Sequence, residues 1–422
     1  MIVLKNATIA SGEKVDLKIV DGVITELGSV SDTGIDCSGL ILLPGFVDMH
    51  THLREPGFEA SETVLTGSQS AASGGYTAVL AMANTYPVAD SKEIVQQVHE
   101  LGIDAGLVDV QPVGAVTKGL EGLQLSEIVE MANSKAKVRV FSDDGMCVFD
   151  EALMDAALIE VKKFDGVVAQ HAQDPTLTPG AQMNEGALAT ELGLKGWPRE
   201  AEESIIKRDA LLAQKTGSRL HVCHLTTAGG VEVVRWAKQQ GINITAEVTP
   251  HHLLLTEQLV RSYDPVYKVN PPLRTEADTI ALREALIDGT IDVVGTDHAP
   301  HSAEKKDCEW DAAAFGMVGL ENAASVVQEV LIDSGRSNWQ RFQEVMSSKP
   351  AVIAGLQDHG QIRVGGVANL VLVDPTAKRI IEAKSASKSS NNPFAGKTLP
   401  GRVLMTIYRG KFTVRDGKLV QK

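Results

Sequence analysis

Two hydrophobic rhythms divide the chain. Near its ends, residues 1–7, 14–20 and 23–27, then 368–373, 401–408, 411–414 and 418–420, read as short strands rich in β-branched side chains. Alternation of apolar and polar positions is the period-two signature of half-buried strands. Asp21-Gly22 and Asp416-Gly417 mark tight turns between neighbouring runs. These features predict one small β domain assembled from both termini, residues 1–44 and 364–422. Within its second part, the Ser-, Lys- and Asn-rich segment 384–392 predicts an exposed loop.

From 45 to 363 the rhythm changes. Short apolar runs at 45–50, 76–82, 106–113, 138–142, 166–171, 218–224, 242–249 and 291–297 read as strands. Helical stretches such as 92–101, 151–163, 204–215, 228–239 and 278–288 fall between them. Strand–helix alternation repeated in this way predicts a (β/α)8 catalytic barrel. A doubly wound open sheet is the competing architecture, but no G-x-G-x-x-G follows the first strand.

In such a barrel, chemistry gathers at the C-terminal ends of the strands. His50 and His52 end the first, and as alternate residues of a strand they share a face. Arg54, just beyond, can meet an anion. Asp144 ends the fourth strand, His171 the fifth, His221 and His224 the sixth, and Asp297 the eighth. One histidine at a strand end is ordinarily a hydrogen-bonded structural residue; five strand ends bearing His or Asp point to a metal site. Parity leaves either His221 or His224 facing inward, with the position nearer the strand end favoured. Asp297 continues the inward row of Ile291, Val293 and Gly295. Imidazoles and carboxylates without thiolate suit a catalytic zinc. His50, His52, Asp144, His171, His224 and Asp297 are too many for one tetrahedral ion and suit two bridged ions, a hydrolytic arrangement. His221, His251, His252 and His298 receive no direct role, and His99 and His359 read as surface positions.

Composition narrows the partners. The 422 residues are 43% hydrophobic and 22% charged, with a formal charge of −14. That balance is typical of soluble domains and speaks against nucleic acid or an anionic membrane, which need basic patches. An anionic substrate must be met by local arginine, histidine or metal. Cys37, Cys147, Cys223 and Cys308 are scattered without a C-x-x-C pair, so neither a disulfide framework nor a zinc knuckle is expected. No apolar run approaches about 18 residues and no secretion signal is evident, which predicts a cytoplasmic protein.

The motifs carry a family resemblance. Asp48-Met49-His50-Thr51-His52-Leu53-Arg54-Glu55-Pro56-Gly57, Met82-Ala83-Asn84-Thr85, Asp143-Asp144-Gly145, Pro250-His251-His252-Leu253, Asn270-Pro271-Pro272-Leu273-Arg274 and Gly295-Thr296-Asp297-His298-Ala299-Pro300-His301 occur in order. From end to end the chain resembles the type I dihydroorotases of the cyclic amidohydrolase superfamily. The resemblance implies a metal-dependent barrel with a composite β-sandwich domain. It implies two zinc ions: His50, His52 and Asp297 on one, His171 and His224 on the other, Asp144 bridging. Many relatives bridge with a carboxylated lysine, which this strand end lacks. The implied reaction is the reversible cyclisation of N-carbamoyl-L-aspartate to (S)-dihydroorotate in pyrimidine biosynthesis, with metal-bound hydroxide as nucleophile and Asp297 as proton shuttle. His52, Arg54, Asn84, Asn270, His301, Phe315 and Gly316 are the implied substrate contacts; Arg54 is also suited on chemical grounds to a carboxylate. A homodimer and an association with aspartate carbamoyltransferase come with the resemblance. The alternatives are a dihydropyrimidinase, hydantoinase or allantoinase, and a catalytically silent partner of the carbamoyltransferase.

Overall fold

Strands from the two ends of the chain meet in one nine-stranded sheet of the computed structural model, which describes residues 1–420. Ile2–Ile9 pairs antiparallel with Lys14–Val20, placing Leu4 opposite Leu17, and parallel with Ile41–Pro44. Ile41–Pro44 is the splice, because its other edge pairs antiparallel with Leu370–Ile380. The apolar run here is continuous for a reason. Leu42, Leu370 and Leu372 enter the core of the sheet domain, whereas Ile41, Leu43, Val371 and Val373 face the barrel core. Alternate residues of one strand pair thus serve two cores.

The barrel strands are, in order, Phe46–Thr51, Tyr76–Ala81, Asp109–Pro112, Val140–Phe141, Val167–Gln170, Arg219–Val222, Ile244–Val248 and Val293–Val294. The first three form one parallel sheet and the last five another. Parallel bridges Gly114–Phe141 and Thr51–His298 join the two into a closed barrel. Between the strands run helices including Lys92–Ala105, Glu151–Lys162, Glu200–Thr216, Ala228–Gln239 and Glu276–Asp288. Thr275 and Asp278 cap the last in a reciprocal capping box.

Strands six and eight stop short of their expected ends because the chain turns before the functional residues. Past the ends of strands one, six and eight, Arg54, His224 and Asp297 have φ of 63°, 29° and 47°. Left-handed backbone costs a non-glycine residue about 1–2 kcal/mol, and such strain collects at functional sites.

Two expectations about exposure fail. In the segment 384–392, Ser387, Ser389, Asn391 and Asn392 are buried. Ser387 Oγ donates to Glu62, Ser389 Oγ donates to the Ser61 carbonyl at 2.6 Å, and Asn391 Nδ2 donates to the carbonyls of Ala299 and Gly316 at 3.0 and 3.1 Å. Polar residues accept burial when their hydrogen bonds are met, and these tie down the loops around the barrel mouth. His359 is likewise buried, between Thr77 and Asp109. No helix among the described residues is long and apolar enough to cross a membrane.

Candidate active site

The six expected ligands converge at the C-terminal mouth, and all are buried. Asp144 is central: its Oδ1 lies 3.3 Å from His50 Nε2, 3.3 Å from His171 Nδ1 and 3.1 Å from His224 Nε2. Its Oδ2 lies 3.3 Å from His52 Nε2. Asp297 Oδ1 is 3.1 Å from His52 Nε2 and 3.6 Å from His50 Nε2. Two groups able to hold a metal ion share Asp144: one with His50 and His52, the other with His171 and His224. The adjacent Asp143 turns away, its Oδ1 accepting from the Val116 and Thr117 amides at 2.7 and 3.0 Å.

Hydrogen-bond partners on the far side of the rings decide what this cluster can bind. His50 Nδ1 donates to Glu247 Oε1 at 2.5 Å, His52 Nδ1 to Asn84 Oδ1 at 2.9 Å, and His171 Nε2 to Gln173 Oε1 at 2.6 Å. When the rings are neutral these acceptors place the proton on the outer nitrogen. The inner lone pairs of His50 and His52 then face carboxylate oxygen, and that of His171 lies between Asp144 Oδ1 at 3.3 Å and His224 Nε2 at 2.9 Å. His50 Nε2 is buried with no hydrogen-bond partner among the described residues. Lone pairs and carboxylates aimed at one another repel unless a cation sits among them, so the donor set fits divalent metal. Cys223 adjoins His50 and Glu247, but burial pushes its thiol up to about 12, leaving it protonated.

Proton and cation compete for these positions. Burial opposes a charge on His50, but Asp144 and Glu247 raise its imidazole well above the ordinary value. Burial likewise opposes ionisation of Asp144, but the charge on His50 and hydrogen bonds from His171 and His224 hold its carboxyl well below the usual carboxylate range. Asp297 is likewise held down to about 2, with burial outweighed by His52 and His50. Beneath them Asp48 accepts from the amides of His50 and Thr296, both at 3.0 Å, binding strand one to strand eight.

Arg54 lies at the rim. Its Nε donates to the Pro300 carbonyl at 3.2 Å, and one terminal nitrogen lies 3.4 Å from His301 Nε2. That imidazole nitrogen donates to the Phe315 carbonyl at 2.8 Å, so it has no lone pair for Arg54. Arg54 makes no ion pair among the described residues and offers its outer face to an anion. Burial lowers its guanidinium only to about 10, and it stays charged. Burial, aided by Arg54, pushes His301 down to about 3.

Other expected substrate contacts are partly engaged within the protein. Asn84 Nδ2 donates to the Asp144 carbonyl at 3.2 Å while its oxygen orients His52. Asn270 Nδ2 donates to Gln173 Oε1 at 3.2 Å, and its own Oδ1 is buried without a partner among the described residues. Gly316 donates its amide to Lys268 at 2.9 Å. It has φ 146°, and an added Cβ would come within 2.8 Å of the Ala299 carbonyl oxygen, so a side chain is excluded there.

Sequence reasoning missed Glu247 and Gln173. Glu247 could have been found as the lone carboxylate in the strand Ile244–Val248, since a charge in an apolar run needs a buried partner. Gln173 left no periodic signal. Of the four histidines given no direct role, His221, His252 and His298 have both ring nitrogens engaged by neighbouring groups. His251 Nε2 is buried without a partner among the described residues.

Comparison with known proteins follows the same line. A family profile described as dihydro-orotase-like matches residues 39–229. The dihydroorotase of Streptomyces coelicolor is 59% identical over 422 residues, covering 99% of both chains. That of Mycobacterium tuberculosis is 53% identical over 415 residues, covering 97% of this chain and 96% of its own. Among solved structures, the L-hydantoinase (dihydropyrimidinase) of Arthrobacter aurescens superposes with a TM-score of 0.88 at 25% identity, covering 100% of this chain and 97% of that one. A dihydropyrimidinase from Brevibacillus agri gives 0.86 at 24% identity, covering 99% and 96%, a likeness that speaks for the fold alone.

Proposed function

The chain belongs to the dihydroorotase family, and we propose on that footing that it interconverts N-carbamoyl-L-aspartate and (S)-dihydroorotate in pyrimidine biosynthesis. One observation carries the reading: four imidazoles and two carboxylates converge beside an Arg54 that makes no ion pair among the described residues. His50, His52 and Asp297 would hold one zinc, His171 and His224 a second, with Asp144 between them. Bound zinc polarises the amide carbonyl and acidifies the attacking water.

The chain's own groups do the rest. Arg54 meets the carboxylate on the substrate ring, a charge-assisted contact that fixes its orientation. The free Oδ1 of Asn270 accepts from a ring N–H. His301, neutral, holds the Phe315 loop beside Arg54. In ring opening, Asp297 takes a proton from the attacking water as its oxygen bonds to the amide carbon. It delivers that proton to the ring nitrogen as the C–N bond breaks. In ring closure, Asp297 removes the ureido proton as the nitrogen attacks the carbon of the protonated side-chain carboxyl. It returns that proton to the departing hydroxyl, which leaves as water while the C=O re-forms.

A substrate panel tests this. Turnover of dihydroorotate with none of dihydrouracil, hydantoin or allantoin is expected; turnover of dihydrouracil alone would overturn it, and no turnover with no bound metal would favour a silent homologue. Cytoplasmic location, a homodimer and an association with aspartate carbamoyltransferase are part of the proposal through family membership, with sedimentation alone and with the carbamoyltransferase as the check on assembly.

A further inference from the structure

The carboxylate of Glu247 touches both halves of the cluster. Oε1 accepts from His50 Nδ1 at 2.5 Å and from the main-chain amide of His224 at 3.1 Å. Oε2 accepts from His221 Nε2 at 3.2 Å, and the other ring nitrogen of His221 is 2.8 Å from Thr245 Oγ1. Strand seven, which carries Glu247, lies between strands six and eight. Strand eight makes room for the carboxylate with Gly295, where an added Cβ would stand 2.4 Å from Oε2. Glu247 is 1% exposed, so its charge is sustained by these donors rather than by water.

We propose that Glu247 is a positioning residue for both cation positions, fixing the His50 tautomer at one and the main-chain turn of His224 at the other. An imidazole ligates through an unprotonated nitrogen, and an anion on the opposite N–H fixes that tautomer and makes the ligating nitrogen more basic. His50 receives that anion directly. His224 receives a main-chain anchor at φ 29°, where its backbone is strained and needs one. Glu247→Gln keeps the shape and an acceptor oxygen but removes the charge and places N–H donors beside groups that already donate.

The inference rests on the metal reading above, and the experiment separates the two. Metal-free parent and Glu247→Gln proteins are titrated with zinc against a chromophoric chelator, and with cobalt by visible absorption. The variant should bind both equivalents about 10–100-fold more weakly, with an altered cobalt spectrum. Its kcat for dihydroorotate should fall while KM stays within about twofold, because Arg54 is untouched. A parent that takes up no ion overturns the metal reading itself. A parent that binds and a variant that binds equally well overturns only the role of Glu247, and weakening of one equivalent overturns its action on both. If Glu247→Gln does not fold, Gly295→Ala decides: it keeps the charge but displaces the carboxylate, and unchanged zinc affinity there overturns the proposal.

Discussion

The two ends of the barrel bury histidine beside carboxylate in opposite ways. At the N-terminal end, His359 Nδ1 meets Thr77 Oγ1 at 3.1 Å and Nε2 meets Asp109 Oδ2 at 3.3 Å. Both ring nitrogens have a partner, and no lone pair is left facing an anion. At the C-terminal end, His50, His52 and His171 give their N–H to Glu247, Asn84 and Gln173, and turn the remaining nitrogen toward Asp144 or Asp297. The histidines are buried beside aspartate at both ends. The difference is where the proton is committed, and it separates a histidine with both nitrogens engaged from one able to ligate a metal.

Removing metal should break the comparison hardest. Dialysis against a chelator should abolish dihydroorotate turnover, and zinc should restore it; turnover that survives complete metal removal, checked by elemental analysis, would equate the two ends. Asp297→Asn should lower kcat by about 10²–10⁴-fold in both directions, the usual worth of a positioned proton carrier; a loss under tenfold would assign the proton elsewhere. Arg54→Met should raise KM for dihydroorotate by about 10–100-fold, from a charged hydrogen bond worth about 1.5–3 kcal/mol, while zinc content is unchanged. At the other end, His359→Ala leaves Thr77 and Asp109 without their partner and should cost about 1–3 kcal/mol of stability. Its metal content and kcat/KM should match the parent, and a lost zinc equivalent would contradict the division drawn here.

The smallest effect is a pH dependence. His301 is held at about 3 in the folded protein against an ordinary 6.5, through burial and then Arg54. Between those values the unfolded chain binds the extra proton, so stability falls as pH drops below about 6.5. His301→Gln should flatten that part of the profile in denaturant titrations of metal-free protein at pH 4 to 7.

Much of this was legible beforehand. Strand–helix alternation placed eight strand ends, and the residues His50, His52, Asp144, His171, His224 and Asp297 could be named from those ends. Parity left His221 and His224 open, and the backbone resolved it: strand six stops at Val222, and a left-handed turn swings His224 toward Asp144 while His221 faces Glu247. The segment 384–392 misled because composition reports polarity, not whether partners exist to satisfy it.

The sequence by itself determined the barrel and the order and type of the six convergent groups, because hydrophobic periodicity is local and sets which residues end strands. Only the tertiary structure decided which ring nitrogen of His50, His52 and His171 meets an outer acceptor. That choice belongs to partners far along the chain: Glu247 is 197 residues from His50, and Ser387 is 325 from the Glu62 it binds. Hydrogen bonds act over a few ångströms in space, and no local pattern records which distant residues the fold brings within that reach.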